Sequence, residues 1–413
     1  MASLSGRIAL IAAVAVFAAG TTGCRRVRRL FHRRHPAAVH AAHVVHAPVP
    51  VHHAGPADQC EGARETAAAN HTLRAAGSIE QVAIASAAQH TVILASVGGA
   101  MTSATLDGSE LVHVGAGVAE DHESDPSIVP TRSGFAGVWR RSRAGNQYLV
   151  LQFFEPSGLP SGDEHTEQLD DGRSGAAIGA ADHSLALAYV TGGAIRVQLA
   201  DEHGGLSTIG ALLPGSSSAL GIDLVWLSPA YLATWTTQSG ESATITVAQV
   251  DPADGVVRPL SALQVHSAHA HGRLIAAGNR FFMAMFDPAT DANAPNVFST
   301  AYEGSGVRIV DPQPLGDHAV ESAPAVAYDG HHVAMAWTEE IAPGTTRARW
   351  VRLNDRAERV GDPLDVAGST HNGGAHFAAA LSWDGDAFVL ARGGATADTL
   401  AIHRFGSNGC DAR

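Results

Sequence analysis

The sequence predicts an all-β protein built from seven repeated units of four short antiparallel strands. Similar segments recur about every 45–52 residues from about residue 77 onward. Gly contributes 44 residues and aromatic residues only 6% of the chain, which favours short strands and turns over long helices. A repeat of this length is typical of stacked or radial repeat architectures. The apolar fraction of 45% is sufficient for a buried core.

The clearest repeat unit spans residues 323–368. Its first two strands are joined by Asp329-Gly330, because Gly accepts the positive φ that a tight hairpin turn needs. Its third strand, 347–353, alternates charged and apolar residues, which is typical of a strand with one solvated face. The other three strands are predicted at 323–328, 332–337 and 360–366.

The other six units follow the same order of apolar runs and Gly-rich turns. A short helix is expected only near residues 60–75, because no other stretch keeps a helical period over three turns. The last unit has no obvious fourth strand of its own. The six units span residues 78–118, 126–172, 174–214, 219–265, 270–318 and 376–409.

Seven such units resemble a β-propeller, and more loosely the sialidase-like and YDG/W-type repeat propellers of exported bacterial proteins. One four-stranded blade cannot bury both of its faces, whereas blades packed radially cover one another. The segment after Cys60 would supply the missing strand and close the ring. The alternatives are a pair of β-sandwiches, an open β-solenoid, or a ring of six or eight blades.

Residues 1–23 have the organisation of an export signal. A short positive start is followed by an apolar run from Ile8 to Ala19 and then by small residues. This run is too short to span a bilayer, which needs about 20 apolar residues. An uncleaved signal anchor and a plain secretory signal have the same organisation, and both stay open as alternatives to a lipid-modified signal.

The Gly23-Cys24 step after small residues resembles a bacterial lipoprotein signal. The resemblance implies that Cys24 becomes the acylated first residue and anchors the protein to a membrane of the cell envelope, facing the periplasm or the cell surface. Thr21 departs from this pattern, since the family usually has an aliphatic residue there. The Arg cluster after Cys24 departs from it too, because positive charge opposes translocation.

Residues 24–59 are predicted to be a tether rich in Arg, His and Pro, and residues 60–413 the propeller domain. The segment 1–59 holds seven Arg and one acidic residue, which leaves 20 basic and 39 acidic residues from residue 60 onward. The tether histidines either bind a transition metal or belong to a solvated spacer. Cys60 and Cys410 bracket the domain, and in an exported protein we expect them to form a disulfide. The alternative is two unpaired thiols.

The composition and motifs favour a binding or scaffolding module over an enzyme. A formal net charge of −13 argues against a nucleic-acid partner. The Asp-box of sialidases is absent, as are the Gly-x-Ser-x-Gly and His-Glu-x-x-His motifs. We expect a monomer that binds an envelope protein or polysaccharide. The alternative is a divergent propeller glycoside hydrolase or lyase.

Few residues stand out as a candidate site. Trp383 lies just before a turn and is the best candidate for ligand contact, whereas Trp139, Trp235 and Trp337 share one repeat position and indicate packing between blades. Hard oxygen ligands at near-alternate spacing suit Ca²⁺; the alternative is a solvated acidic turn, and no other cofactor is expected. The candidate cation ligands are Asp287, Asp291 and Asn293, with the acidic segment 120–125 as a second candidate.

Overall fold

The computed structural model describes residues 71–406, with the gaps given below. Every element of regular secondary structure in the described residues is a β-strand. No helix there is long and apolar enough to span a membrane. The signal, the tether, Cys60 and Cys410 lie outside the described residues, so the predictions made for them stay predictions. The residues left out within the range are 88, 109, 116, 119, 171–174, 217–218, 240–241, 268, 289–294, 317–323, 343–344 and 371–377.

The strands form seven four-stranded antiparallel sheets, which are the blades of a β-propeller. Blade 1 contains β2 (Ile79–Ala87), β3 (His90–Val97), β4 (Ala100–Thr105) and β5 (Val112–His113). Blade 2 contains β6 (His122–Pro130), β7 (Phe135–Arg143), β8 (Asn146–Phe154) and β9 (Pro160–Leu169). Blade 3 contains β10 (Ala176–Ala180), β11 (Ser184–Thr191), β12 (Ala194–Asp201) and β13 (Leu206–Leu212).

The next three blades repeat this order, with each strand hydrogen-bonded to the one that follows it. Blade 4 contains β14 (Leu220–Leu227), β15 (Ala230–Ser239), β16 (Ser242–Val250) and β17 (Val257–Val265). Blade 5 contains β18 (His271–Ala277), β19 (Arg280–Phe286), β20 (Val297–Glu303) and β21 (Arg308–Gly316). Blade 6 contains β22 (Ala325–Tyr328), β23 (Val333–Ala342), β24 (Thr345–Leu353) and β25 (Arg359–Thr370).

Blade 7 is built from both ends of the described chain. It contains β26 (Ala380–Trp383), β27 (Ala387–Gly393), β28 (Thr399–Gly406) and, as its outer strand, β1 (His71–Arg74). The register pairs His71 with Ile402 and Arg74 with Thr399. The segment that follows Cys60 in sequence therefore completes the last blade, as predicted.

The helix expected near residues 60–75 is wrong for residues 71–74. In β1 the side chain of Leu73 is fully buried while its neighbours Thr72 and Arg74 are exposed, which is the alternation of a strand with one buried face. Residues 71–74 form a strand because they pair with β28, which is distant in sequence, through antiparallel backbone hydrogen bonds.

The first strands of neighbouring blades contact one another in cyclic order, and β2 contacts β26 across the closure. This closed ring confirms the seven-bladed propeller and excludes the β-sandwich and the open solenoid. The turn predicted at Asp329-Gly330 is present, and Gly330 has a φ of +95°, a conformation that favours glycine.

The three recurring tryptophans pack between blades, as their shared repeat position predicted. Trp139, Trp235 and Trp337 lie in the second strands of blades 2, 4 and 6, and all are buried. Each belongs to an apolar cluster with the preceding blade; Trp337, for example, clusters with Phe282 and Val297 of blade 5. These side chains fill the space between neighbouring blades.

We predict that Leu73→Ala destabilises the whole ring. The buried leucine is the apolar side chain that β1 contributes to the blade 7–blade 1 cluster. We expect a loss of about 2–5 kcal/mol in the free energy of unfolding, measured by urea denaturation. Leu159→Ala is the matched control, because Leu159 is 55% exposed, and it should cost less than about 0.5 kcal/mol. Equal effects of the two substitutions would contradict the closing role of β1.

Candidate functional site at one face of the ring

The two ends of the propeller carry different connections. Because the strands of a blade alternate in direction, the turns between first and second strands emerge at one end of the ring. We call this end the first-turn face. The links from one blade to the next emerge at the opposite end, the crossover face. Two cavities involve residues at or near the first-turn face.

The first cavity is the central channel, with a volume of about 390 Å³. All seven blades contribute residues to its wall, and most of these residues are aliphatic or small. The charged residues among them are Asp223 of β14 and Arg273 of β18, whose Oδ1 and Nη1 atoms lie 3.8 Å apart. The backbone N–H of Leu274 donates to Asp223 Oδ2 at 2.6 Å. The channel therefore combines an apolar wall with one ion pair.

Burial raises the pKa of Asp223 above its ordinary value of 3.8. The nearby Arg273 guanidinium and the backbone N–H groups of Leu274 and Leu224 favour the charged carboxylate, but burial is the larger effect. A carboxyl group whose pKa is raised by burial in a cavity is one of the features that mark functional sites.

Two aromatic residues line the channel where its strands reach the first-turn face. Trp383 ends β26 and Tyr328 ends β22 in the neighbouring blade. The Trp383 ring is half-buried, with its centroid 4.9 Å from that of Phe388. The Tyr328 hydroxyl donates to the carbonyl of Gly330 at 2.6 Å. The structure thus places Trp383 on a cavity wall, and its contact with a ligand stays a prediction.

The second cavity has a volume of about 530 Å³ and lies where blades 7, 1 and 2 meet. It is more polar than the channel. Its wall includes Asp384, Asp386 and Arg404 of blade 7 together with Asp107 of blade 1 and Pro156 of blade 2. We call it the polar cavity. Its residues come from turns and strand ends that are far apart in sequence.

The turn between β26 and β27 separates the two cavities and is held by Asp384. One oxygen of this buried carboxylate accepts the backbone N–H groups of Asp386 and Ala387 at 2.9 and 2.7 Å. The other oxygen accepts a hydrogen bond from Arg404 Nη2. Gly385 has a φ of +101°, which favours glycine in this turn. Trp383 on one side and Asp386 on the other are therefore held by the same turn.

A chain of hydroxyl groups crosses the wall between the cavities. Ser382 Oγ lies 2.6 Å from Ser86 Oγ, and Ser86 Oγ lies 2.8 Å from Thr91 Oγ1. Both serines line the channel, whereas Thr91 lines the polar cavity. The wall at this point is polar on both of its sides.

The structure tests only part of the first candidate cation site. Asp287 is buried, and its carboxylate accepts the backbone N–H of His266 at 3.0 Å and lies 2.8 Å from His266 Nδ1. Asp291 and Asn293 lie outside the described residues. Across the described part of the chain, no group of three His, Cys, Asp or Glu side chains is arranged to hold a metal ion. Binding of Ca²⁺ at this site stays a prediction.

Three of the four carboxylates in the acidic segment 120–125 lie against arginines, and the fourth, Glu120, is exposed. Glu123 is buried and accepts hydrogen bonds from Met101 N–H at 2.6 Å, Trp139 Nε1 at 3.0 Å and Arg141 Nε at 2.7 Å. The same guanidinium donates to Glu164 at 2.8 Å. Glu123 thus joins blades 1 and 2 as a structural acceptor.

Blade 6 contains a second arrangement of the same kind. Trp337 Nε1 donates to Glu339 Oε1 at 2.9 Å, and Arg347 donates to Glu339 Oε2. These Trp–Glu–Arg clusters were not predicted from the sequence. The recurrence of Trp at one repeat position was the signal that could have found them, since a buried indole N–H needs an acceptor.

Comparison with known proteins shows the fold and no family. No family model and no curated protein matches the chain. A chain of the hydrazine synthase of Kuenenia stuttgartiensis has a TM-score of 0.51 at 12% identity, covering 78% of this chain and 94% of that one. A chain of the mitotic checkpoint complex has a TM-score of 0.50 at 13% identity, covering 83% and 96%. Identities this low establish a shared fold alone.

We predict that the stability of Asp223→Asn relative to the parent protein increases as the pH rises. Because the folded-state pKa of Asp223 is raised, the stability that its bound proton contributes is full below pH 3.8 and is lost as the pH rises through the folded pKa. An Asn at this position does not titrate. Urea denaturation of both proteins at about pH 4 and pH 7 measures the difference. Asp182→Asn, at an exposed turn residue, is the matched control. A difference that is the same at both pH values would contradict the prediction.

Proposed function

We propose that the protein is an exported, lipid-anchored binding module of the bacterial cell envelope, and that its ligand is held at the first-turn face. The observation that carries the proposal is the pair of cavities on either side of the Trp383–Ala387 turn. Their volumes, about 390 and 530 Å³, lie in the range typical of ligand sites. One turn thus presents an aromatic side chain to one cavity and carboxylates to the other.

The hydrogen bonds within the site support binding to a preformed surface. Asp384 is held by two backbone N–H groups and Arg404, and the Trp383 ring rests against Phe388. Side chains held in this way lose little conformational entropy when a ligand binds. By contrast, the buried Glu123 and Glu339 are engaged with arginines inside their blades, which gives them a structural role.

The lipid anchor is supported by the N-terminal sequence. An apolar run that is too short to span a bilayer leads to Gly23-Cys24, and a Pro-containing tether separates Cys24 from the propeller. Such a tether gives an anchored module reach from the membrane surface. The propeller itself is acidic, which keeps it soluble beside the membrane.

We predict that Cys24→Ser releases the protein from the membrane fraction. In a bacterial host, the parent chain should incorporate labelled palmitate and sediment with membranes, because acylation of Cys24 supplies the anchor. The variant should lose the label and appear in the soluble fraction. Cys60→Ser, which changes another cysteine in the N-terminal part of the chain, should keep both the label and the membrane location. Membrane association of the Cys24→Ser protein would contradict the lipid anchor.

We predict that retention of purified envelope polysaccharide by the full chain depends on the first-turn face. Asp386→Arg places a bulky cation at the edge of the polar cavity and should reduce retention at least about tenfold. Glu120→Arg makes a similar charge reversal at an exposed residue on the crossover face and should leave retention unchanged. Equal retention by the two variants would contradict the assignment of the face. Hydrolysis of a glycoside that is abolished by one Asp or Glu substitution would instead establish the enzyme.

A further inference from the structure

We propose that the first-turn face binds an uncharged oligosaccharide across two subsites. The first subsite is the aromatic end of the channel at Trp383 and Tyr328, and the second is the polar cavity next to it. The inference rests on the proposed function and names the class of ligand for that site. A sugar chain needs an aromatic surface and hydrogen-bonding groups, and the two cavities supply one each.

The first subsite offers flat aromatic surface beside an apolar wall. Sugar rings present faces of C–H groups that pack on aromatic rings, while their hydroxyl groups point outward from the ring edge. Trp383 is half-buried and supported from behind by Phe388, so that part of its ring remains open to the channel. Tyr328, at the end of the adjacent first strand, widens this surface.

The second subsite offers hydrogen-bond acceptors suited to hydroxyl groups. Asp107 and Asp386 are exposed, and within the described part of the chain their carboxylates have no hydrogen-bond partner. Hydrogen bonds from hydroxyl groups to a carboxylate are stronger than those to neutral acceptors. Leu106 and Pro156 add apolar surface to the same wall, and the volume of about 530 Å³ suits one or two sugar rings.

The hydroxyl chain marks the place where the two subsites adjoin. Ser382, Ser86 and Thr91 stand between the channel and the polar cavity, and each hydroxyl can act as donor or acceptor. Thr91 and Ser382 are buried and Ser86 is half-buried, so the hydroxyl group of Ser86 is the one that a ligand hydroxyl can reach.

The charge of the polar cavity selects against anions. Its wall contains three carboxylates, Asp107, Asp384 and Asp386, and Arg404 is hydrogen-bonded to Asp384. Two carboxylates therefore lack a cationic partner among the described residues. A uronic acid or phosphate group placed beside them would be repelled. The ligand class that fits both subsites is therefore a chain of neutral sugars.

The test is isothermal titration calorimetry of the full chain with hexasaccharides. The uncharged probes are cellohexaose, maltohexaose and chitohexaose, and the anionic probe is hexagalacturonate. We expect at least one uncharged probe to bind at least about tenfold more tightly than the anionic one, because of the repulsion described above. Asp107→Asn combined with Asp386→Asn should reduce this preference.

Single variants then assign the subsites. Trp383→Ala should weaken binding of the uncharged probe about tenfold, and Trp383→Phe, which preserves packing on Phe388, should weaken it less. Asp386→Asn should weaken binding about fivefold, because a charged acceptor is lost. Asp182→Asn removes an exposed carboxylate from a first-turn position of blade 3, outside both cavities, and should change affinity less than about twofold.

Three outcomes would overturn the inference. No uncharged hexasaccharide binds, or hexagalacturonate binds more tightly than every uncharged probe, or Trp383→Ala and Asp386→Asn both leave the affinity unchanged. The proposed function is judged separately. Face-dependent retention of envelope polysaccharide together with any of these outcomes would keep the binding module and reject only its ligand class. Loss of face dependence would reject both.

Discussion

Closure of the ring by β1 is the constraint on which the rest of this structure depends. Each blade is a thin sheet with two faces, and each face is buried only when a neighbouring blade covers it. Seven blades in an open row would leave two faces in water. Pairing of His71–Arg74 with β28 joins the start of the propeller to its end, and Leu73 buries its side chain in the junction with blade 1. In the closed ring every blade therefore packs against two neighbouring blades.

Closure also determines where the two cavities lie. The first strands of all seven blades must surround one axis, which brings Trp383 and Tyr328 to the same end of the channel. The polar cavity forms at the closing junction, where blade 7 meets blades 1 and 2. Residues about 280 positions apart in the chain, Asp107 and Asp386, line one cavity because the ring brings the last blade beside the first.

The Trp–Glu–Arg clusters show how the blades bury polar groups without exposing them to a ligand. The large indole fills the space between blades, and its N–H then needs an acceptor, which Glu123 and Glu339 provide in blades 2 and 6. A buried carboxylate in turn needs a cationic partner, which Arg141 and Arg347 supply. Glu123, which belongs to one of the two segments that suggested a cation site in the sequence, is thus engaged in packing between blades.

The sequence by itself determined the all-β repeat architecture and the packing role of the three recurring tryptophans, and it favoured seven blades over six or eight. These follow from local alternation, turn residues and a repeat that each blade shows separately. It also singled out Trp383, which lies before a Gly-containing turn. Only the tertiary structure decided that residues 71–74 form a strand and that Asp107, Asp386 and Arg404 share a cavity. The physical reason is that strand pairing and cavity walls are made between segments distant in the chain, and a repeat pattern carries no record of which side chains meet across them.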